Sequence, residues 1–254
     1  MRRVPPPVES GAVTVQELEI ETGTVAVDCS LGLFCTLTVT GNCTISNPTN
    51  ANAGDELTIV HTQDSTGGYW VDYGSAFEKP AVFTLANAVT THRWVYDGTV
   101  WRLVSEGIIR RRLGSDTTDS TGSLVNVTGG AFVPAPGGLY KIEVLALAIT
   151  ASSGTGAQFA ANPGNIQGGS VWSGGRNSTN SILVIIDALT ASADSGVLNA
   201  LSGTTASSTP ALLVYTIKAH ASAPTAFQLR AKTENASTQI TVQADTVISI
   251  ERVA

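Results

Sequence analysis

Apolar and polar residues alternate in short segments along most of the chain, as in β-strands that bury one face. The clearest segments of the first half are TVAVDCS, FCTLTVTGNCTISN and DELTIVHTQ, and those of the second half are YKIEVLALAIT, ALLVYTIKAHA and TQITVQADTVISIERV. Glycine- and serine-rich joints separate these segments, and helical periodicity is nearly absent. Many short strands punctuated by turns predict an all-β protein built from sandwiches or barrels.

Two dipeptides predict tight hairpin turns within this pattern. Gly41-Asn42 separates two alternating segments, and Asp97-Gly98 lies between a strand ending at Tyr96 and another that contains Trp101. Glycine, asparagine and aspartate tolerate the positive φ angles that two-residue hairpin turns require. We therefore expect antiparallel strand pairs at both places.

The alternation stops near Val104 and resumes near Leu124, and at 254 residues each half of the chain is long enough to bury its own core. We interpret the stretch between as a domain boundary. The predicted organisation is an N-terminal arm over residues 1–22, a small β-sandwich or barrel-like module over 23–106, a linker over 107–122 and a second β-domain over 123–254.

The predicted linker carries three consecutive arginines, Arg110, Arg111 and Arg112. They either lie in solvent or pair with a neighbouring subunit. Three arginines without interleaved aromatic residues are a weak signal for nucleic acid. The net charge of −6 and the pI near 5.0 also argue against nucleic acid as a partner.

The chain is poor in charge, because charged residues make up 13% and hydrophobic residues 43% of it, whereas about a quarter of a typical soluble domain is charged. No run of about 18 apolar residues occurs, so we expect no membrane insertion. The low charge favours a protein that hides much of its surface against other chains.

The first ten residues, MRRVPPPVES, lack the apolar core of a secretory signal. Consecutive prolines favour an extended polyproline conformation. The segment is either a disordered tail, in an isolated chain, or a tether that lies on a neighbour, in an assembly. In the second case the anchoring residues would be Arg2, Arg3, Pro5, Pro6 and Pro7.

Three cysteines, Cys29, Cys35 and Cys43, raise the question of a metal site or a disulfide. Zinc sites usually need four ligands with a close pair such as C-x₂-C, and no such pair occurs. We expect reduced thiols buried as small apolar residues, with Cys29 and Cys35 on one face of a strand, and neither a metal nor a cofactor. Free thiols fit assembly in a reducing cytoplasm.

The motifs that catalysis requires are not found in the sequence. The three histidines, His61, His92 and His220, are scattered, and no G-x-S-x-G, H-E-x-x-H or phosphate-binding loop occurs. We expect His61 and His92 to pack inside strands. The sequence therefore predicts no enzyme activity.

One enzymatic alternative stays open, since a glycoside hydrolase needs two carboxylates about 5–9.5 Å apart. Two pairs of acids have a compatible spacing, Asp64 with Asp72 and Asp187 with Asp194. We interpret all four as surface acids in strands and turns.

Sugar binding combines exposed aromatic rings with hydrogen-bonding side chains on loops. The segment SVWSGGRNST at 170–179 offers Trp172 beside Arg176 and Asn177, flanked by glycines. These three residues are the candidate ligand-binding site, and the alternative is that Trp172 packs on a hairpin or at a subunit interface. The other large aromatic residues of strand patterns are expected mostly in the core: Trp70, Tyr73, Trp94 and Trp101.

Three segments of the first half carry a resemblance: TLTVTGNCTISNP at 36–48, AGDELTIVHTQDSTGG at 53–68 and YDGTVWRLV at 96–104. In these motifs and their spacing, residues 23–106 resemble a small β-module of bacteriophage tail fibres and minor tail proteins.

The second half carries LGSDTTDSTGSLVNVTGGAF at 113–132, YKIEVLALAIT at 140–150 and ASTQITVQADTVISIERV at 236–253. These segments resemble the C-terminal knob of the same phage proteins. The resemblance implies a jelly-roll domain of the tumour-necrosis-factor or complement-head type, which forms homotrimers. The sequence departs from this pattern in the glycine-rich segment at 162–179, where the candidate ligand-binding residues lie.

Apolar runs agree with the implied trimer. YKIEVLALAIT and NSILVIIDAL are almost continuously apolar, as expected of strands buried on both faces. A lone monomer would expose such strands, and assembly around an axis would cover them.

Together the resemblances imply a structural virion protein of a tailed phage, made in the host cytoplasm. It would be a trimeric tail fibre or receptor-binding protein that attaches through residues 1–22 to another virion protein and adsorbs through its knob to a host surface glycan. The alternatives are a capsid decoration protein or head fibre with a structural role, and a polysaccharide depolymerase.

Overall fold

The computed structural model describes residues 14–18, 23–104, 108–151, 156–176, 182–188, 195–202 and 209–253, with the backbone alone over 172–176, 182–188 and 195–202 and at 209. These residues form twenty β-strands and no helix, so none of the described segments is a helix that could cross a membrane. The all-β prediction is confirmed.

The first half of the chain contains β1 (Val15–Leu18), β2 (Gly23–Val25), β3 (Phe34–Val39), β4 (Cys43–Ile45), β5 (Glu56–Gln63), β6 (Val71–Tyr73), β7 (Val89–Tyr96) and β8 (Trp101–Leu103). Successive strands alternate between two sheets, with the orders β1-β3-β5-β7-β8 and β2-β4-β6. The pairs among β1 to β6 are parallel. The chain therefore winds as a short solenoid, completed by the antiparallel strands β7 and β8. We call β1 to β8 the solenoid.

Side chains that point into the solenoid stack in register from one turn to the next. Val25, Ile45 and Tyr73 form one column across β2, β4 and β6, and all three are buried. The two sheets share one core, but the strands from β1 to β6 pair in parallel. Alternation shows which face of a strand is buried, but parallel and antiparallel neighbours produce the same alternation.

The predicted N-terminal arm over residues 1–22 overlaps the solenoid. Val15–Leu18 pairs with β3 and is the first strand of its sheet, because the backbone N–H and C=O groups at the edge of β3 can bind a further strand. The rest of the arm, residues 1–13 and 19–22, lies outside the described residues.

The two predicted hairpin turns have different outcomes. Asp97-Gly98 connects β7 to β8 as predicted, and the Asp97 carboxylate accepts hydrogen bonds from the Thr99 and Val100 amides at 2.9 and 2.7 Å. Gly41-Asn42 connects β3 to β4, which belong to different sheets. Neither of these two residues has a positive φ, although a type I′ turn needs it at both positions and a type II′ turn at the first. The chain turns a corner there, and the hairpin prediction is wrong.

The second half contains β9 (Ile108–Arg112), β10 (Thr117–Asp119), β11 (Val125–Phe132), β12 (Leu139–Thr150), β13 (Gly156–Asn162), β14 (Ile166–Arg176), β15 (Ile182–Ala188), β16 (Ser195–Ser202), β17 (Thr209–Ala219), β18 (Phe227–Thr233), β19 (Ile240–Val242) and β20 (Val247–Arg252). A large sheet has the order β9-β20-β12-β17-β14-β15, with β19 and β10 beside the far end of β12, and a small sheet has the order β11-β18-β13-β16. Their inner faces share one core, in which Tyr215 meets Phe227 at 5.1 Å between ring centroids. We call this pair of sheets the sandwich.

The predicted linker over residues 107–122 is structured. Ile108–Arg112 pairs with β20, and Thr117–Asp119 pairs with β19. Alternation is present there, with Ile109 and Leu113 buried, but an arginine occupies the inward position between them. This stretch has a polar sequence but contains two edge strands.

Candidate functional site

An apolar surface lies on the face of the large sheet that points away from the sandwich core. Along β12, Val144 and Ala146 point inward and are buried, whereas Leu145 between them is 44% exposed. Leu145 lies in register with Leu212 on β17, which is 39% exposed, and with Val247 on β20. We call Val247, Leu145 and Leu212 the apolar row. Because paired strands are about 4.8 Å apart, these side chains are neighbours.

Further side chains extend this surface. Leu147 and Ile149 follow on the same face of β12. On the other side of Leu145, Lys141 and Glu143 form an ion pair at 2.7 Å, and the hydrogen bond that Lys141 donates to Glu143 raises the pKa of the Lys141 amine. An apolar centre beside charged groups is the usual arrangement of a protein–protein contact.

Two of the predicted ligand-binding residues lie on the strand next to the apolar row. Trp172 and Arg176 belong to β14, where Trp172 is in register with Val214 of β17 and Ile186 of β15. The structure describes only the backbone of Trp172 and Arg176, and Asn177 lies outside the described residues. The predicted sugar site therefore stays a prediction. The predicted anchoring residues, Arg2, Arg3, Pro5, Pro6 and Pro7, also lie outside the described residues.

The three consecutive arginines belong to strand β9. Arg112 forms an exposed ion pair with Asp245 at 3.1 Å. Arg111 points inward, and partial burial lowers the pKa of its guanidinium. Gly129 leaves room for this guanidinium, because a Cβ at position 129 would lie 2.2 Å from Arg111 Nη2.

His61 and His92 are buried in the solenoid, as predicted, each 1% exposed. His61 Nδ1 lies 3.3 Å from the Thr90 carbonyl oxygen, and His61 Nε2 lies 3.2 Å from the Tyr73 hydroxyl. A carbonyl only accepts hydrogen bonds, so the neutral ring donates from Nδ1 and accepts from Tyr73 at Nε2. Burial lowers the pKa of His61 to about 4 and that of His92 to about 3. Both rings are therefore neutral packing groups.

Two of the four candidate carboxylates, Asp64 and Asp72, have hydrogen-bond or ion-pair partners within the fold. Asp64 Oδ1 accepts hydrogen bonds from the Thr66 and Gly67 amides, each at 2.8 Å. Asp72 forms ion pairs with Lys79 and Arg252. Asp187 is described by its backbone in β15, and Asp194 lies outside the described residues.

The three thiols are free. Cys35 and Cys43 are buried as predicted, and burial raises the pKa of each to about 11. The prediction that Cys29 shares a strand face with Cys35 is wrong, because β3 begins at Phe34 and Cys29 lies in the preceding turn. Within the described residues, no group of three or more His, Cys, Asp or Glu side chains could hold a metal ion.

Three of the four aromatic residues expected in the core are there. Tyr73, Trp94 and Trp101 are at most 1% exposed, and the Trp94 indole donates a hydrogen bond to the Glu78 carbonyl at 2.9 Å. Trp70 precedes β6 and is only partly buried.

Sequence reasoning missed the ion pair between Asp72 and Arg252, which are 180 residues apart. No local pattern could have joined them. The apolar surface around the apolar row could have been found in the sequence. Leu145, Leu147 and Ile149 occupy the outward positions of β12, where a strand that faces water would carry polar residues.

No curated protein matches the chain. Among solved structures, the VP2 subviral particle of infectious bursal disease virus is 11% identical, with a TM-score of 0.18 over 62% of this chain and 40% of that one. The Gt strain of the same virus gives 11% identity and a TM-score of 0.18 over 69% of this chain and 47% of that one. The chain thus spans less than half the length of these proteins, and TM-scores this low establish no common fold.

A family model described as "Putative phage tail fibre C-terminal domain" matches residues 28–101. The match begins just before Cys29 and ends at Trp101, so it lies in the solenoid and inside the segment with the tail fibre resemblance. The matched tail fibre domain supports a structural fibre protein of a phage, and hence a component of the virion.

Proposed function

We propose that the chain is a homotrimeric tail fibre protein of a tailed phage that adsorbs to a host surface polymer. The observation that carries this proposal is the tail fibre match over residues 28–101. In the proposal, residues 1–22 attach the protein to another virion component and the sandwich is the knob that meets the host.

The strand order of the sandwich supports a jelly-roll knob. Strands β9, β20, β12 and β17 form one layer, and β11, β18, β13 and β16 form the other. Two facing layers of four antiparallel strands match the eight strands of a jelly roll. The hairpin of β14 and β15 extends the large sheet beyond β17.

The apolar row supports self-association. Leu145 and Leu212 are more than a third exposed in the single chain, and a contiguous apolar surface in water favours a protein contact. Three copies that turn this face towards a common axis would bury it in a closed assembly. The small sheet of each copy would then face outward.

Trimerisation also explains how weak sites could hold a virion on its host. Three copies of one binding site on a knob, and several knobs on a particle, raise the effective concentration of each site after the first contact. Such a protein needs no high single-site affinity.

The oligomeric state tests the self-association. We expect the purified chain to sediment at three times its 26.2 kDa and the Leu145→Glu variant to sediment as a monomer. The matched control is Asn126→Glu, which places the same charge at an exposed position of the small sheet and should leave the trimer intact. A wild-type monomer, or an unaffected Leu145→Glu trimer, contradicts the proposed interface.

The position on the particle tests the tail assignment. A specific antibody against this protein, imaged on virions by electron microscopy, should label the tail tip. Label spread over the head would overturn the tail fibre assignment and leave a capsid decoration protein or head fibre.

Incubation with purified host surface polysaccharide tests the binding role. We expect the trimer to be retained by the polysaccharide without shortening it. Shortened chains would instead identify a depolymerase, and absence of retention would contradict adsorption through this protein.

A further inference from the structure

The solenoid and the sandwich share one segment of chain. Residues 79–85, which we call the strap, belong to the connection between β6 and β7 and have no regular secondary structure. Val82 belongs to the buried core of the solenoid, whereas Ala81 lies in the core of the sandwich and Phe83 packs against it. Neighbouring side chains of one short segment thus enter two different cores.

Hydrogen bonds hold the strap on both sides. On the solenoid side, the Phe83 amide donates to Thr90 Oγ1 at 3.1 Å, and the Gly68 amide donates to the Thr84 carbonyl. On the sandwich side, Thr84 Oγ1 accepts a hydrogen bond from the Val133 amide at 3.1 Å. Thr84 is thus bonded to both halves, and their separation would break its hydrogen bond with Val133.

A partly buried ion pair joins the two halves at the end of β20. Arg252 Nη1 lies 2.8 Å from Asp72 Oδ1, and the Arg252 side chain is only 4% exposed. Its guanidinium also lies over the Tyr140 ring, 5.8 Å from the ring centroid, and Asp72 receives a second ion pair from Lys79 at 3.3 Å. Removal of one partner would leave the other charge in the protein interior without compensation.

A small cavity lies at this boundary. The cavity between the strap and the sandwich, lined by Phe83, Thr84, Phe132 and Ile248 among others, has a volume of about 10 Å³. That is room for about one water molecule. Two halves that moved independently would meet at a wetter, looser surface.

We infer that the strap and the Asp72–Arg252 pair clamp the solenoid to the sandwich, so that both halves open and unfold as one cooperative unit. The clamp goes beyond the proposed function and does not depend on it. A rigid connection of this kind would keep the sandwich in a fixed orientation relative to the solenoid, whichever surface the protein contacts.

Hydrogen exchange of the full chain, followed by mass spectrometry, tests the clamp. In Arg252→Met, we expect amides of the solenoid near Asp72, such as Gly74, to exchange about tenfold faster or more, although the substitution lies in β20. In Asp72→Asn, we expect the reciprocal loss of protection in β20 and β12. The matched control, Arg112→Met, removes the exposed ion pair with Asp245 and should leave exchange in the solenoid unchanged.

A milder variant keeps the test valid if Arg252→Met does not fold. Thr84→Val removes the hydroxyl that accepts the Val133 hydrogen bond while it keeps the shape of the side chain. We expect it to raise exchange in both halves together. Loss of protection confined to the half that carries the substitution, or no loss in any of the three clamp variants, would overturn the inference.

Discussion

At the scale of single residues, the tetrapeptide Asp-Ser-Thr-Gly occurs twice and adopts the same turn at residues 64–67 and 119–122. Asp64 Oδ1 accepts a hydrogen bond from the Thr66 amide at 2.8 Å, and Asp119 Oδ1 accepts one from the Thr121 amide at 2.9 Å. The last glycine has a φ of 65° in the first copy and 73° in the second. A short aspartate side chain that bonds the backbone two residues later explains this local preference.

The two turn glycines differ in their surroundings, which leads to a prediction. Both Gly67→Ala and Gly122→Ala should cost about 1–2 kcal/mol, because alanine disfavours a positive φ. Gly67→Ala should cost more, because its Cβ would lie 2.2 Å from the Ala86 backbone nitrogen, whereas the Cβ at Gly122 would meet the Ala236 side chain at 3.2 Å. Urea unfolding of both variants measures the difference, and equal losses would contradict the role of the close approach.

The buried histidines predict sensitivity to acid. Burial lowers the pKa of His61 from 6.5 to about 4 and that of His92 from 6.5 to about 3, so in this range the unfolded chain binds protons that the folded chain does not. Their contribution to stability is complete above pH 6.5 and is lost progressively as the pH falls towards 3. By pH 5 the free energy of unfolding should drop by about 4 kcal/mol, at about 1.4 kcal/mol per pKa unit.

Urea unfolding between pH 8 and pH 5 measures this loss. A His61→Gln, His92→Gln double variant should show a flatter dependence on pH. The same slope in the double variant and the wild type would show that other groups cause the acid sensitivity.

At the scale of elements, the solenoid is held by columns of side chains that stack between successive parallel strands. Ile45 is 0% exposed and lies between Val25 and Tyr73. Each inward residue therefore packs against equivalent residues of the turns before and after it. The outward residues of the same strands, such as Thr38 on β3, face solvent.

A truncation in such a column should be costly. Ile45→Ala should lower the free energy of unfolding by about 2–5 kcal/mol, because it leaves a cavity between fixed neighbours. Thr38→Ala, a truncation on an exposed face, should change it by less than about 0.5 kcal/mol. Chemical denaturation gives both values, and similar losses in the two variants would show that the columns do not carry the stability of the solenoid.

Strand β9 shows why an element can be missed in a sequence. Ile109, Arg111 and Leu113 share its inward face, and the arginine interrupts the apolar alternation that identifies a strand. The interruption is tolerated because Gly129 leaves space for the guanidinium. That space is provided by a residue on another strand, so a window of sequence around Arg111 contains no sign of it.

At the scale of the whole molecule, the large sheet of the sandwich is apolar on both faces. One face lies in the core, and the other is the outer face that carries the apolar row. If the outer face is buried between copies, association stabilises the folded chain by mass action. A tenfold rise in protein concentration should then raise the Tm of the wild type by about 1–3 °C. Differential scanning calorimetry at several concentrations measures this shift.

The Leu145→Glu variant provides the comparison for that measurement. Its Tm should not depend on concentration, because a buried carboxylate in the apolar row would prevent association. A wild-type Tm that is independent of concentration would contradict a dissociable oligomer formed through this face.

The sequence alone determined the all-β class, most of the strands with their alternating buried faces, and the turn at Asp97-Gly98. Val144 and Leu145 point to opposite faces because strand geometry has a period of two, and Asp64 and Asp119 form the same turn because their hydrogen bonds lie within three residues. His61 and His92 were correctly expected inside strands for the same reason, and Cys43 was correctly expected to be buried. These properties depend on a residue and its near neighbours.

Only the tertiary structure decided which strands pair, in which direction, and how the two halves meet. β3 and β4 belong to different sheets although a turn dipeptide separates them, and Asp72 finds Arg252 across 180 residues. Strand pairing and buried ion pairs are set by contacts between distant parts of the chain, and their free energy depends on what all the other segments bury. Local alternation contains no information about such partners.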